Sequence, residues 1–250
     1  MPPQVPTAVS DRHQADVKSI GALRGSAKGG RNVVKRLGAI QSLGDLTGGR
    51  CLDVGCATGE YTKELSVGFG RVDAIDVEQN RLEVFRSEGV PRNVTLAEMS
   101  VYAMDFWDET FDTVTMIEVL EHLQQPSAAL TEIARVLRPE GQLFITTPNR
   151  LWPFEQHGLQ VRGKKRSGYL FPGLVWASPL HRRVSDSAAF RVKEIRELGT
   201  NAGLTLTGAT YMMPPLDNRG SARLHRLFDR AERTPMKHFA QTLVARLVKP

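Results

Sequence analysis

Hydrophobic and polar positions along this chain fall into short blocks that switch between two periods. From Asn32 to Leu43 the apolar residues Val33, Val34, Leu37 and Ile40 recur at helical spacing, which turns Lys35 and Arg36 outward. Gly48-Gly49 breaks that helix, and the apolar run from Arg50 to Val54 reads as the first buried strand. The unit then repeats as apolar strand, turn and helix. Further strands are expected at Arg71–Val77, Asn93–Met99, Thr113–Glu118 and Gln142–Thr147, with helices at Tyr61–Leu65, Arg81–Ser87 and Ser127–Leu137 among the connections. The Pro139-Glu-Gly141 turn is expected to stop a helix and launch a strand. Near the end come a helix at Val192–Ala202, a strand at Leu204–Tyr211, a helix at Ser221–Arg233 and a strand at Gln241–Val248. Strands alternating with helices in short units specify the α/β class. The expected architecture is a Rossmann-like, doubly wound, mostly parallel seven-stranded sheet with a C-terminal antiparallel hairpin.

Two segments depart from this rhythm. Residues 1–30 mix Pro, Gly, Ser and charge with little periodicity, so they read as a flexible arm ahead of a single domain spanning 31–250. Residues 148–190 hold four prolines, several aromatics and the cluster Arg162-Gly-Lys-Lys-Arg166. They are too long for an idle connection and read as an irregular lid on the substrate side, inserted after the fifth strand.

Composition narrows the classes. At 250 residues with 41% hydrophobic positions the chain can bury one full-sized core. No apolar run is long enough to span a bilayer, and Met-Pro-Pro-Gln-Val-Pro has neither the basic start nor the apolar stretch of a secretory signal. The cytoplasm is the expected location. The two cysteines, Cys51 and Cys56, flank an apolar strand and loop and read as small buried thiols. The net charge of +6 conceals an asymmetry: residues 1–149 carry 15 Lys and Arg against 20 Asp and Glu, residues 150–250 carry 18 against 7. A C-terminal third at +11 suits an anionic acceptor or surface (phosphate, nucleic acid or lipid headgroup), or simply a solvated basic face.

The chemistry concentrates around Cys51-Leu-Asp-Val-Gly-Cys-Ala-Thr-Gly59. A buried strand ending in Asp53 and followed by Gly55 and Gly59 brings backbone amides and a carboxylate to the carboxyl edge of the sheet, where open α/β folds bind ligands. Asp76 ends the next strand, where an acid can grip the two hydroxyls of a ribose. Loop and acid fit either a dinucleotide or an adenosyl cofactor. Asp53, two residues before the first glycine, repels a pyrophosphate and attracts an ammonium, which favours the adenosyl cofactor.

Taken together, Leu52-Asp-Val-Gly-Cys-Ala-Thr-Gly59, Ala74-Ile-Asp76-Val, Met99-Ser-Val101, Phe111-Asp-Thr-Val114, Glu118-Val-Leu-Glu-His122 and Leu137-Arg-Pro-Glu-Gly141 resemble the class I S-adenosylmethionine-dependent methyltransferases of the ubiquinone-pathway-like group, over roughly residues 32–211. The resemblance implies that Asp53, Gly55, Cys56, Ala57 and Gly59 hold the amino-acid end of the cofactor. It implies further that Asp76 and Val77 take its ribose, that Ser100 and Val101 flank its adenine and that Glu118 borders the pocket. Ala57 stands where the family commonly has glycine, and Ser100 where it often has Asp.

Glu118, Glu121 and His122 follow the fourth strand on the same edge. In a helical turn they would share one face, suited to a divalent cation such as Mg2+ that activates an acceptor hydroxyl. The same spelling resembles metal ligands in ubiquinone-pathway O-methyltransferases and in small-RNA 2′-O-methyltransferases. A metal-free His122 acting as general base with Glu121, and a purely structural turn, stay open beside it. Trp152 and Phe154 offer an apolar wall to an acceptor, and His157 and His181 are candidate substrate contacts and further ligands. For the tail helix, with Leu224, Leu227 and Phe228 among Arg223, Arg226 and Arg230, packing on the last hairpin, a membrane surface and a homodimer are the alternatives. The expected activity is O-methylation of a small-molecule hydroxyl such as a quinone-like, natural-product or sugar acceptor. Ribose methylation of RNA or a nucleotide is the rival, and a non-catalytic S-adenosylmethionine-binding protein is the alternative from another class.

Overall fold

The first apolar block becomes a strand at the centre of a sheet. A computed structural model describes residues 30–155, 159–161, 164–168, 172–176, 184–185, 187–214, 226, 230, 232 and 234–250. Within them run α1 (Gly30–Gln41), β1 (Gly48–Val54), α2 (Glu60–Gly68), β2 (Phe69–Asp76), α3 (Gln79–Glu88), β3 (Val94–Glu98), β4 (Phe111–Ile117), α4 (Pro126–Val136) and β5 (Leu137–Pro148). There follow the short strands β6 (Leu159–Val161) and β7 (Lys164–Arg166), then α5 (Val192–Asn201), β8 (Thr205–Met212) and β9 (Thr242–Val248). The seven-stranded sheet has the order β3-β2-β1-β4-β5-β9-β8. The first five strands are parallel, and β9 runs antiparallel between β5 and β8.

Strand alternation divides the core in two. Leu52 and Val54 of β1, Val114 and Met116 of β4, and Leu143 and Ile145 of β5 meet Leu130 and Ile133 of α4 and Ile195 of α5 on one face. Cys51, Val72, Phe144 and Val244 point the other way, onto Ile40 of α1 and Leu65 of α2. Central strands buried on both faces read as mainly apolar runs, here interrupted by buried Asp53, Thr113 and Thr115. The order reverses between β1 and β4, opening a crevice at their carboxyl ends.

Several boundaries differ from expectation. The fourth strand stops at Ile117, because Glu118 adopts a left-handed φ of 56°. α4 ends at Val136, ahead of the Pro139 turn, and Leu137 already pairs with Phe111 in β5. Arg36, expected to face outward, is only 7% exposed, since it lies three residues from buried Val33 and four from buried Ile40 on the same helical face. Lys35, the other residue expected outward, pairs with Glu232 at 2.7 Å. The expected arm lies outside the described residues apart from Gly30, which begins α1, as does the tail helix apart from Arg226 and Arg230, both helical, and Glu232 in a turn. Among the described residues no helix is long and apolar enough to cross a membrane.

The insert closes at its base. Asn149 bridges Phe190, Phe190 N–H donates to the Pro148 carbonyl and Arg150 N–H to the Phe190 carbonyl. β6 and β7 form a separate hairpin within it.

The amino edge of the sheet carries a line of ions across four strands. Arg71 and Arg50 both bind Asp73, at 2.9 and 2.7 Å, and the Arg50 backbone N–H donates to Asp112, which also pairs with Arg138. Asp73 is 3% exposed while both of its arginines reach water. Asp73→Asn is expected to cost about 2 kcal/mol of stability, below the usual cost of breaking a fully buried pair, and the loss should be visible as a lower urea midpoint with unchanged slope.

Candidate active site

The turn leaving β1 is built around exclusion of side chains. Gly55 and Gly59 have φ of 74° and 83°; a Cβ on Gly55 would lie 2.4 Å from a Val119 methyl, and one on Gly59 2.2 Å from the Phe85 ring. Only glycine fits either position. Ala57 between them is also left-handed, at 48°, and is held by its N–H donating to Asp76 Oδ2 at 2.9 Å. Gly55 and Cys56 both donate to the Ile75 carbonyl, at 2.8 and 3.0 Å. α2 then starts at Glu60 with no side-chain cap, so its first N–H groups and positive dipole end open at the loop. Cys51 and Cys56 are free and buried, and burial pushes both thiols up.

Three carboxylates differ in setting. Asp53 is 2% exposed and accepts from the Thr62 hydroxyl at 2.7 Å and the Thr115 hydroxyl at 2.9 Å. Burial raises its pKa to about 6 against those two hydrogen bonds, with the nearby charge of Asp76 adding to the rise. Asp76, also buried, accepts from Ala57 N–H with one oxygen and from Glu78 N–H with the other. That second bond turns the chain after β2, which leaves Val77 partly exposed beside the crevice. Met99 N–H donates to the Asp76 carbonyl, so the end of β3 is tied to the same residue. Ser100 follows with a half-buried side chain that accepts from Tyr102 N–H, and Val101 is buried.

Glu118 is the third. Its N–H donates to the Thr146 carbonyl and its Oε1 accepts from the Thr146 hydroxyl at 3.0 Å. The same oxygen lies 3.4 Å from Arg36 Nη2, and Arg36 Nη1 donates to the Tyr61 hydroxyl at 2.8 Å. Burial alone would lower the Arg36 pKa, but Glu118 and Tyr61 hold it above its ordinary value. Arg36 Nε is shielded from water and makes no hydrogen bond, leaving one donor of a buried cation unused. Sequence periodicity passed over Arg36, Tyr61 and Thr62. The signal for Arg36 was present in its spacing from Val33 and Ile40.

The metal set does not form. Leu120–His122 is one 3-10 turn, and Glu118 precedes it in a left-handed conformation, so the shared helical face is absent. Glu118 turns to Arg36 and Thr146, while Glu121, 2% exposed, accepts from the Thr147 hydroxyl at 3.1 Å. Among the described residues no three His, Cys, Asp or Glu side chains converge to hold an ion. His122 is half-buried at the end of the turn. Trp152 and Phe154 do come together, edge to face at 5.5 Å, on the segment leaving β5. His157 and His181 lie outside the described residues.

An adenosyl cofactor fits what is present: a tight loop with glycines at both ends, a carboxylate at the end of β2, an uncapped helix start and a buried cation with one unused donor. Residues 52–145 match the family model described as a methyltransferase domain. A ubiquinone biosynthesis O-methyltransferase from Xanthomonas oryzae pv. oryzae is 36% identical over 118 residues, covering 46% of this chain and 49% of that protein. One of the same description from Bordetella bronchiseptica is 34% identical over 119 residues, with the same coverage. The chain thus spans about half the length of the curated relatives it matches. Among solved structures, an S-adenosylmethionine-dependent methyltransferase from Mesorhizobium loti superimposes with a TM-score of 0.63 at 16% identity, covering 88% of this chain and all of that one. One chain of the complex between the Haloferax volcanii Trm112 methyltransferase activator and a methyltransferase superimposes with a TM-score of 0.64 at 19% identity, covering 95% of both chains. Residues 52–145 thus resemble a methyltransferase domain, and the chain shares the fold of solved S-adenosylmethionine-dependent methyltransferases.

Proposed function

We propose that this chain transfers a methyl group from S-adenosylmethionine to a hydroxyl oxygen of a small acceptor. The observation that supports the cofactor half is the glycine-bounded loop joined to the Asp76 carboxylate through Ala57 N–H. The choice of oxygen is supported by the relatives' names, which describe O-methyltransferases. Bound at this edge, the cofactor supplies a methyl carbon on a sulfonium centre. Asp76 takes the ribose hydroxyls, Ser100 and Val101 border the adenine, and Gly55, Cys56, Ala57 and Gly59 bring backbone to the amino-acid end. Asp53, with both oxygens engaged by threonines, acts on the ammonium through its charge, and Arg36 supplies the opposite charge for the carboxylate. Trp152 and Phe154 form the acceptor's apolar wall. His122 takes the hydroxyl proton as the oxygen attacks, and Glu121, fixed by Thr147, holds the turn that carries it. The protein's main contribution is alignment and exclusion of water. RNA methylation is the second reading, supported by the +11 balance of residues 150–250.

Three outcomes are expected. Asp76→Ala weakens S-adenosylhomocysteine binding by about 10–100-fold in calorimetry, the range for a lost charged hydrogen-bond partner; unchanged affinity in a folded variant removes the ribose assignment. Because Asp53 ionises near 6, the deprotonated form that favours an ammonium grows as pH rises, so affinity should tighten about tenfold between pH 5 and pH 7. Asp53→Asn should flatten that profile. With labelled methyl donor and a panel of hydroxylated small molecules, His122→Asn should lower transfer by about 100-fold or more while leaving S-adenosylhomocysteine affinity intact. Label entering RNA but no small molecule would reassign the acceptor, and label entering neither would favour a non-catalytic binder.

A further inference from the structure

The helix that carries Arg36 is gripped by carboxylates from two other elements. Ile40 roots the second half of α1 in the core, with Leu37 and Ala39 packed against the same cluster. Toward its start the helix has less to hold it. Val33 is buried, but Val34 is 71% exposed, and the first turn carries no acidic residue to meet the helix dipole. Gly38 weakens the helix between its two halves, and no atom lies within 4 Å of where a Cβ would stand there, so packing does not demand a glycine. A helix of 12 residues is marginal without outside contacts.

Two successive cations supply those contacts. Arg36 lies 3.4 Å from Glu118 and donates to the Tyr61 hydroxyl. Lys35 Nζ lies 2.7 Å from Glu232 Oε1, and the same oxygen accepts the Met213 N–H at 2.6 Å. The Lys35 and Glu232 side chains are 14% and 23% exposed, so water and salt screen them less than an ordinary surface pair. Met213 follows β8, whose Met212 pairs with Thr242 of β9, as does Pro148 of β5. Since β9 is antiparallel to both, β8 ends at the same carboxyl edge as β5, and Glu232 ties that edge to α1. Neighbouring residues on an α-helix point about 100° apart. A grip on Lys35 therefore fixes the rotation of α1 about its axis, and with it the direction in which Arg36 points.

We infer that Glu232 is a positioning residue for the carboxylate of the methyl donor. It acts through Lys35 and the rotation of α1, keeping Arg36 beside Glu118 with its Nε left over for the donor. This rests on the proposed assignment of Arg36 to that carboxylate. Glu118 by itself is a weak guide for Arg36, because the oxygen that faces the guanidinium is shared with the Thr146 hydroxyl. Glu232 adds a second point of attachment on a different side of the helix. Two such points define the orientation of a rod that one would leave free to roll.

The test is calorimetry of S-adenosylhomocysteine with the full chain and its variants, each checked for folding by thermal unfolding. Glu232→Gln keeps an acceptor for the Met213 N–H but removes the charge that holds Lys35, and should weaken binding by about three- to tenfold. Lys35→Met should do the same, and the two together no more than either alone. Gly38→Ala has open space for its methyl group and strengthens the helix, so adding it to Glu232→Gln should recover part of the loss. In an Arg36→Gln background, itself weaker than the parent, Glu232→Gln should have no further effect. Unchanged affinity in Glu232→Gln, additive losses with Lys35→Met, no recovery by Gly38→Ala, or a loss that persists in full without Arg36 overturns the inference. An Arg36→Gln variant that binds as well as the parent overturns it through Arg36 while leaving the proposed reaction standing. A folded parent that binds no S-adenosylhomocysteine removes the reaction and the inference together, so the failures are distinguishable.

Discussion

The carboxylate of Asp76 accepts one backbone hydrogen bond from the glycine loop, through Ala57, and another from the exit of its own strand, through Glu78. Its carbonyl takes a third from Met99 at the end of β3. One residue thereby fixes the relative positions of three strand ends. The left-handed conformations at Gly55, Ala57 and Gly59 are tolerable because this anchoring over-determines them. Val119 and Phe85 occupy the space where side chains at Gly55 and Gly59 would otherwise grow, so both glycines are required by packing.

Charge is used differently at the two edges of the sheet. At the amino edge, Arg71, Asp73, Arg50, Asp112 and Arg138 form a line whose arginines remain wetted, and such pairs contribute modestly without large desolvation. At the carboxyl edge, Arg36, Glu118, Asp53 and Glu121 are withdrawn from solvent or nearly so, Glu118 is backbone-strained, and one guanidinium donor is left unused. Buried ionic groups of this kind seldom add stability. Their concentration where the sheet order reverses is what a ligand-binding edge requires, and the remaining core supplies the stability that this edge gives up.

Much of this was legible in the residues. The mainly apolar stretches of β1, β4 and β5 declared parallel strands buried on both faces, and Asp53 and Asp76 stood where strand ends should be. What escaped was whatever depended on geometry between elements. Arg36 looked solvent-facing because charge outweighed its helical register with Val33 and Ile40, and its partners Tyr61 and Glu118 come from other elements. Glu118-Val-Leu-Glu-His122 would share one face only in a helical turn, and spacing alone carries no trace of the left-handed residue at its start. Asp53 was legible as a strand-end acid, but its two hydroxyl donors, Thr62 and Thr115, come from other elements and left no mark in its own spacing.

The pairing of Asn149 with Phe190 brings the two ends of the excursion after β5 together at a single point of the sheet. A polymer loop whose ends are already pinned feels changes in its own length only weakly, about 0.6 kcal/mol for each doubling. The stretch between those pins is therefore free to lengthen, shorten or be exchanged without altering the register of β5 against β4 or β9. The base of the excursion is therefore a natural seam at which a segment of another length could be joined while the sheet keeps its register.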